Sequence, residues 1–234
     1  MSEPGREGGP DSPAAHLIDA VVFDVDGLLL QSEEIWDGAR RDLADEAGVA
    51  WPPDATEAMM GMSAPEWSHY MHEEIGLPMD PDAVNAAVLS RIERRYRREL
   101  PWIRGARDAL VRIAGRRPVG LATSSNREIV DLFVERGGLE ELIAVMVSSE
   151  EVGAGKPEPD VYLEATRRLG VDPRRAAAVE DSTNGLLSAA AAGLKVIAVP
   201  NPAHPPEAEG LRVADVVLDS IGDLSPDVVE RLGS

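Results

Sequence analysis

The fold of this chain is constrained most by the uneven spacing of its short apolar runs. The runs occupy residues 20–23, 119–122, 144–147, 176–179, 196–199 and 216–218. From residue 119 onward they alternate with segments of helical pattern, which is typical of a parallel sheet covered by helices. The first two runs lie much farther apart than the others, so we expect an insertion in the first connection between strands.

The inserted segment, residues 32–101, carries the signals of helices only. Ser32 precedes two glutamates and predicts the N-cap of a first helix. Ser63 and Glu66 have the spacing of a capping box at the start of another helix. Over residues 81–100, apolar residues recur at every fourth position, which predicts a long helix with one buried stripe. The insertion is therefore predicted to be all helical.

These patterns predict an α/β fold with a Rossmann-like, three-layer core built on a parallel sheet, and an inserted all-helical cap domain. We assign residues 17–31 and 102–234 to the core domain and residues 32–101 to the cap domain. Residues 1–16 are rich in glycine, proline and acids. They predict a disordered tail without the apolar segment of a signal peptide.

Charge and composition exclude several classes of function. The formal net charge of -19 at pH 7 disfavours nucleic acid and anionic membranes as partners and favours a small-molecule substrate. No apolar run is long enough to span a bilayer, so we expect a cytoplasmic protein. The chain has no cysteine, and a metal must therefore bind oxygen or histidine ligands. The sequence gives no indication of the oligomeric state.

The first apolar run ends in a pair of carboxylates, Asp24 and Asp26, which Gly27 follows. Taken alone, an Asp-Gly pair is more often a simple turn. At the carboxyl end of a buried parallel strand, however, polar side chains gather around ligands. The choice between a turn and a site therefore depends on the residues that follow the other strands.

Candidate phosphate-binding groups follow the second and third strands. Thr123, Ser124 and Ser125 offer hydroxyls before a helix predicted to start near Arg127, and the amino end of that helix would suit an anion. The alternative for these residues is a plain N-cap cluster. Lys156, one of only two lysines in an arginine-rich chain, follows the third strand, and Pro157 predicts the start of the next helix.

Two further acids, Glu180 and Asp181, follow the fourth strand. The carboxyl ends of parallel strands meet at one edge of a sheet, so these acids are predicted to face Asp24 and Asp26. Four carboxylates beside one lysine are costly to gather for structure alone, whereas Mg²⁺ bound together with a phosphate group would neutralise them. The edge is therefore predicted to bind Mg²⁺ and phosphate.

The same residues carry a resemblance to a known family. Taken in order, the motifs that resemble those of the haloacid dehalogenase-like (HAD) hydrolase superfamily are Asp24-Val25-Asp26-Gly27, Thr123, Lys156-Pro157 and Glu180-Asp181-Ser182. With a small helical cap after the first motif, the chain looks like the subfamily of beta-phosphoglucomutase, phosphoglycolate phosphatase and the sugar-phosphate phosphatases. The residues after Gly27, with Ser32, Glu33 and Trp36, are most similar to hexose-phosphate phosphatases of the 2-deoxyglucose-6-phosphate type.

The resemblance implies a Mg²⁺-dependent phosphatase that hydrolyses a small phosphorylated metabolite, such as a sugar phosphate, through an aspartyl-phosphate intermediate. In this interpretation Asp24 is the nucleophile, and Asp26 acts as general acid and then as general base. Thr123, Ser124 and Lys156 bind the phosphoryl group.

The resemblance also implies the metal ligands. Mg²⁺ would be held by Asp24, the backbone carbonyl of Asp26 and Asp181, with Glu180 acting through a water molecule. Dehalogenases of the superfamily lack an acid at the position of Asp26 and need no metal. Dehalogenation is therefore disfavoured.

Two alternatives to hydrolysis follow from the same motifs. Phosphosugar mutases of the beta-phosphoglucomutase type share all four motifs and resemble this chain at Gly61-Met62-Ser63. They carry basic residues where this chain has Met60 and Ala64, and a histidine at the position of Trp36, so the departures favour hydrolysis. A non-catalytic module that binds a phospho-ligand is the second alternative, which an intact nucleophile, acid and lysine disfavour.

Three large side chains of the insertion have two possible roles. Trp36, Trp67 and Met60 can line the cleft from the cap side and select the leaving group, or they can form the core of the cap. The sequence leaves both interpretations open.

Overall fold

The structure, a computed structural model, describes residues 17–59 and 62–233. Its strands are β1 (Ala20–Phe23), β2 (Val119–Thr123), β3 (Ile143–Ser148), β4 (Ala176–Glu180), β5 (Lys195–Ala198) and β6 (Val216–Val217). They form one sheet in the order β3-β2-β1-β4-β5-β6, and all neighbouring strands are parallel. The predicted parallel sheet is confirmed, and each predicted run matches a strand to within one residue at each end.

Helices connect the strands and fill the long first connection. Within the described residues they are α1 (Glu33–Glu46), α2 (Ala55–Ala58), α3 (Ala64–Glu73), α4 (Pro81–Arg98), α5 (Ala106–Ala114), α6 (Arg127–Gly137), α7 (Asp160–Leu169), α8 (Thr183–Ala191), α9 (Ala208–Arg212) and α10 (Pro226–Arg231). The four helices α1 to α4 lie between β1 and β2, as the spacing of the apolar runs predicts.

Helices cover both faces of the sheet. Alternate residues of a buried strand face opposite sides, so each strand contributes to both cores. Val21 and Phe23 of β1 belong to a core that includes residues of α5, α6 and α10 and continues into the inserted helices. Val22 belongs to a second core with residues of α7 and α8. All four residues of β1 are fully buried. The predicted three-layer α/β fold is therefore confirmed.

The inserted helices pack against each other around the apolar stripe of α4. Val84, Val88, Ile92 and Tyr96 are at most 1% exposed, and α1 and α3 both pack on this helix. The capping box that starts α3 is confirmed, since Ser63 and Glu66 bond reciprocally at its first turn.

Several sequence-based predictions are not tested or need correction. The division into core and cap domains stays a prediction, and the predicted tail over residues 1–16 lies outside the described residues, as do Met60 and Gly61. Pro157 does not start a helix. The Lys156–Pro157 peptide is cis, and α7 begins three residues later at Asp160. Among residues 17–59 and 62–233, no helix combines the length and the apolar character needed to cross a membrane.

Candidate active site

The candidate site lies at the carboxyl edge of the sheet, beside the point where the strand order reverses. β1 continues to β2 on one side and pairs with β4 on the other, and such a reversal leaves a crevice beyond the strand ends. Asp24 directly follows β1, Thr123 ends β2, and Glu180 ends β4. The backbone N–H of Asp24 donates to the Val179 carbonyl at 3.0 Å, which fixes the end of β1 beside the end of β4.

Lys156 is the positive centre of this edge. Its Nζ donates to Asp24 Oδ1 and to Glu180 Oε1, both at 2.5 Å, and to the Ala122 carbonyl at 3.1 Å. The ammonium therefore uses all three of its donors within the protein. Burial alone would lower the pKa of Lys156, but the charges of Asp24 and Glu180 raise it above its ordinary value. Lys156 therefore fixes Oδ1 of Asp24 and donates no hydrogen bond to Oδ2.

Glu180 is saturated by donors from the protein itself. Its Oε1 also accepts from the Tyr162 hydroxyl at 2.7 Å, while its Oε2 accepts from the Asp181 N–H at 3.1 Å and the Ser182 hydroxyl at 3.2 Å. A Cβ on Gly185 would lie 1.9 Å from the carboxylate, so only glycine fits there. Tyr162 is a site residue that the sequence analysis missed, because it lies inside α7 and belongs to none of the strand ends.

Asp181, in contrast to Glu180, has a buried oxygen that is not saturated. Its Oδ1 makes no hydrogen bond to any described residue, although Asp181 is only 2% exposed. Ligand oxygens of Asp24, Glu180 and Asp181 lie within 4.8 Å of one another. Burial raises the pKa of Asp181 well above its ordinary value, and the charges of Asp24 and Glu180 raise it further. A divalent cation with oxygen ligands fits this excess of negative charge.

The turn after β1 leaves room for Asp181. Gly27 has a φ of +82°, a conformation that favours glycine, and a Cβ at this position would lie 2.2 Å from Asp181 Oδ2. The Asp-Gly pair thus forms both the turn and part of the site, so the two interpretations of the sequence are compatible.

Asp26 lies in a separate group of hydroxyls. Its Oδ1 accepts from the Ser32 hydroxyl at 2.6 Å, and its Oδ2 accepts from Ser125 at 2.7 Å and Thr123 at 3.1 Å. Ser32 is the N-cap residue of α1, as predicted, but its hydroxyl donates to Asp26 and makes no capping bond within the described residues. Ser32 is a site residue that sequence reasoning missed, and Ser125, one of the hydroxyls predicted after the second strand, donates to Asp26. Both contacts could have been found only by knowing that these loops meet.

The amino end of α6 does not offer the predicted anion seat. Its first N–H, on Arg127, donates at 3.0 Å to Glu150, which also accepts at 2.6 Å from Asn126. The protein's own carboxylate therefore occupies this helix end. Ser124 is half-buried in the same loop, and its carbonyl accepts from the Ser149 hydroxyl at 3.2 Å. Phosphate binding by Thr123 and Ser124 stays a prediction.

The comparisons with known proteins agree with this geometry. The family model of the haloacid dehalogenase-like hydrolases matches residues 21–199. Hexitol phosphatase B of Escherichia coli is 31% identical over 212 residues, which cover 88% of this chain and 94% of that protein. A probable pseudouridine-5'-phosphatase of Drosophila melanogaster is 33% identical over 217 residues, which cover 88% of this chain and 91% of that protein.

Solved structures show the same architecture. A mutant of CbbY from Rhodobacter sphaeroides, crystallised in complex with xylulose-(1,5)bisphosphate, superposes with a TM-score of 0.81 at 28% identity. The alignment covers 92% of this chain and 99% of that one. The family match, which extends from the first strand to the end of the fifth, and these relatives lead to one conclusion: this chain belongs to the haloacid dehalogenase-like hydrolase family.

Proposed function

We propose that this protein is a Mg²⁺-dependent phosphatase that hydrolyses a small phosphorylated metabolite through an aspartyl-phosphate on Asp24. The proposal rests on one observation: two neighbouring carboxylates at the sheet edge differ in their contacts. Lys156 holds Asp24, while Asp181 Oδ1 is buried and unbonded beside it. Curated relatives that cover most of this chain are named as phosphatases of hexitol and carbohydrate phosphates.

Asp24 is the proposed nucleophile. One of its oxygens attacks phosphorus, the new bond joins that oxygen to phosphorus, and the bond from phosphorus to the leaving oxygen breaks. Lys156 orients the carboxylate through Oδ1 and offsets negative charge beside it. Water later attacks phosphorus, which releases inorganic phosphate and restores the Asp24 carboxylate.

Asp26 is the proposed general acid and base. It gives a proton to the leaving oxygen in the first step and takes one from the attacking water in the second, so its protonation state is restored after each turnover. The hydroxyls of Ser32, Thr123 and Ser125 orient its two oxygens. Ser32 lies next to the first residue of α1, so the orientation of Asp26 depends on the position of the inserted helices.

Phosphatases of this family generally use Mg²⁺, and the oxygen donors at the carboxyl edge fit that ion. Asp24, Asp181 and the backbone carbonyl of Asp26 are the residues we assign to it. When bound, Mg²⁺ supplies positive charge that stabilises the transferring phosphoryl group. We assign Glu180 a different role from the one the resemblance implies. Its oxygens already accept from Lys156, Tyr162 and the following loop, so it positions Lys156.

We propose that the inserted helices act as a cap domain over residues 32–101 and move to admit the substrate. The low exposure of Asp24, only 5%, supports this proposal. Closure after binding would exclude bulk water from the aspartyl-phosphate until the leaving group departs.

The proposed function is tested by phosphate release from a panel of phosphorylated sugars, sugar alcohols and nucleosides, with Mg²⁺ or with a chelator. We expect release that depends on Mg²⁺. Acid-quenched protein should carry a labelled phosphoryl group that hydroxylamine removes, since an acyl phosphate is labile to it. Phosphate release that persists without any divalent cation would contradict the proposal.

The mutase alternative is decided in the same assay. A hexose 1-phosphate supplied with the matching bisphosphate would be converted to the 6-phosphate without comparable release of inorganic phosphate. That outcome would replace hydrolysis by phosphoryl transfer between two positions of one sugar.

A further inference from the structure

Arg40 is a buried cation in the inserted helices for which the proposed mechanism has no use. It lies on α1 and is only 9% exposed. Its guanidinium carbon lies 4.9 Å from the ring centroid of Trp67 and 5.4 Å from that of Trp36, and these two rings meet edge to face. The two indoles therefore fix the position of the charge from two directions.

Neither of the nearby acids neutralises Arg40. Asp37 and Asp26 are the acids whose fields act on it. Asp37 accepts from Arg41 and Thr56 on its two oxygens, and Asp26 accepts from three hydroxyls. Within the described residues, Arg40 makes no ion pair and no hydrogen bond, and its Nε is buried without a partner. Burial lowers the pKa of Arg40 to about 10, so it keeps its charge at neutral pH.

The indole N–H beside Arg40 is also unused. Trp36 is 7% exposed, yet its Nε1 is buried without a hydrogen-bond partner among the described residues. Buried polar groups in folded proteins nearly always have partners, so two such groups one turn apart on α1 need an explanation.

Arg40 and Trp36 lie on the side of α1 that contacts Asp26, the proposed general acid, through Ser32. Ser32, Trp36 and Arg40 are four residues apart, so they share one face of α1, and the first of them bonds to Asp26. Eight residues of helix span about 12 Å. The charge of Asp26 acts on Arg40, so the guanidinium lies within electrostatic range of the proposed general acid. A leaving group protonated by Asp26 would extend along this face.

We propose that Arg40, held between Trp36 and Trp67 with the Trp36 indole N–H beside it, binds an anionic group on the leaving part of the substrate. The substrate would then be a phosphorylated metabolite with a second acidic group, either a carboxylate or another phosphate. This inference rests on the proposed function, since it names the leaving group of the same reaction. A planar guanidinium suits the paired oxygens of both groups, whereas a neutral sugar would leave its charge uncompensated.

The test is equilibrium binding to the full-length Asp24→Asn protein in Mg²⁺, measured by calorimetry so that turnover does not interfere. The probes are glucose 6-phosphate, gluconate 6-phosphate and fructose 1,6-bisphosphate, which share one phosphate and differ in the second acidic group. We expect at least one acidic probe to bind about 30-fold or more tightly than glucose 6-phosphate. The tighter of the two acidic probes distinguishes a carboxylate from a phosphate as the natural partner.

Variants in the same background assign the preference to Arg40. Arg40→Met should remove the preference, and Arg40→Lys should keep part of it. Arg41→Met is the matched control, because Arg41 is the next residue, stacks on Trp51 at 5.2 Å and is exposed. It should leave the ratio unchanged.

The outcomes separate the two proposals. Equal affinity for all three probes would overturn the anion site, even if the wild-type protein releases phosphate. So would a preference that survives Arg40→Met. A preference that depends on Arg40, in a protein whose wild type releases no phosphate from any ester, would support the anion site and overturn the phosphatase. The comparison of probes on a single protein keeps the test valid if Arg40→Met does not fold.

Discussion

Lys156 at the sheet edge and Arg40 in the inserted helices are both buried cations, but their surroundings differ. Lys156 directs all three donors to protein oxygens, and two of its partners are carboxylates. Arg40 contacts two aromatic rings and has no carboxylate partner among the described residues. A buried charge whose partners are all protein groups belongs to a preformed site. A buried charge without a protein partner is available to bind a ligand of opposite charge.

This difference suggests a division of labour between the two regions. The sheet edge carries the groups of the phosphoryl-transfer chemistry, which is common to every substrate, so they can be fixed in advance. The inserted helices carry groups that the protein itself leaves unpaired, and these can select the leaving group. Each of the following predictions tests one side of this comparison.

The largest effect is expected for the nucleophile. Asp24→Asn should lower kcat by about 10⁴-fold or more, because the amide cannot attack phosphorus. Phosphate release under saturating substrate measures the loss, and far-ultraviolet circular dichroism checks the fold. Asp19→Asn is the matched control, since Asp19 precedes the same strand at its opposite end and pairs with Arg175. Turnover by Asp24→Asn close to that of the control would show that Asp24 is not the nucleophile.

Loss of the buried ammonium should lower the stability of the protein as well as its activity. Lys156→Met should lower the free energy of unfolding by about 3–5 kcal/mol, because it leaves Asp24 and Glu180 buried without their cation. Urea unfolding without added metal measures this change. Lys195→Met is the control, because the other lysine of the chain forms a surface pair with Asp215. That pair should contribute about 1 kcal/mol or less. Equal effects of the two substitutions would contradict the preformed centre.

Mg²⁺ should stabilise the protein, and the effect should grow with pH. Burial raises the pKa of Asp181 above its ordinary value of 3.8, so the metal-free folded protein keeps a proton there to a higher pH than the unfolded chain does. Stability associated with that proton is full below 3.8 and is lost as the pH rises through the raised pKa. Mg²⁺ competes with the same proton and therefore binds better as the pH rises over this window.

Thermal unfolding with Mg²⁺ or chelator measures this linkage. At a Mg²⁺ concentration about 100 times its Kd, the stabilisation should be about 2.7 kcal/mol. Asp181→Asn should abolish it, whereas Asp45→Asn on the exposed face of α1 should not. A stabilisation that is the same at every pH would exclude Asp181 as a ligand that gives up a proton.

The smallest effect is expected for the cation without a partner. Arg40→Met should change the free energy of unfolding by about 1 kcal/mol or less, because the cost of burying an unpaired charge offsets its stacking on two indoles. Urea unfolding compares it with Lys156→Met under the same conditions. A loss as large as that of the lysine variant would mean that Arg40 has a structural partner, and the contrast between the two regions would disappear.

Local sequence patterns were sufficient to predict the strands and the polar residues that follow them. β1 matches the predicted run residue for residue, and Asp24, Lys156 and Asp181 meet as the rule for parallel strands requires. The patterns did not predict the partners of individual polar groups. Ser32 is the N-cap residue of α1, as predicted, but its hydroxyl donates to Asp26. The amino end of α6 has the context of an anion site, but Glu150 occupies it.

The fold class and the order of the motifs could be predicted from the sequence, because apolar runs and the residues at strand ends are local features that any parallel sheet brings to one edge. Which polar groups are satisfied became apparent from the packed structure alone. Lys156 and Tyr162 both donate to Glu180, while Asp181 Oδ1 and Arg40 Nε have no partner among the described residues. Hydrogen-bond partners from distant segments depend on the packing of several elements at once, and no local pattern encodes them.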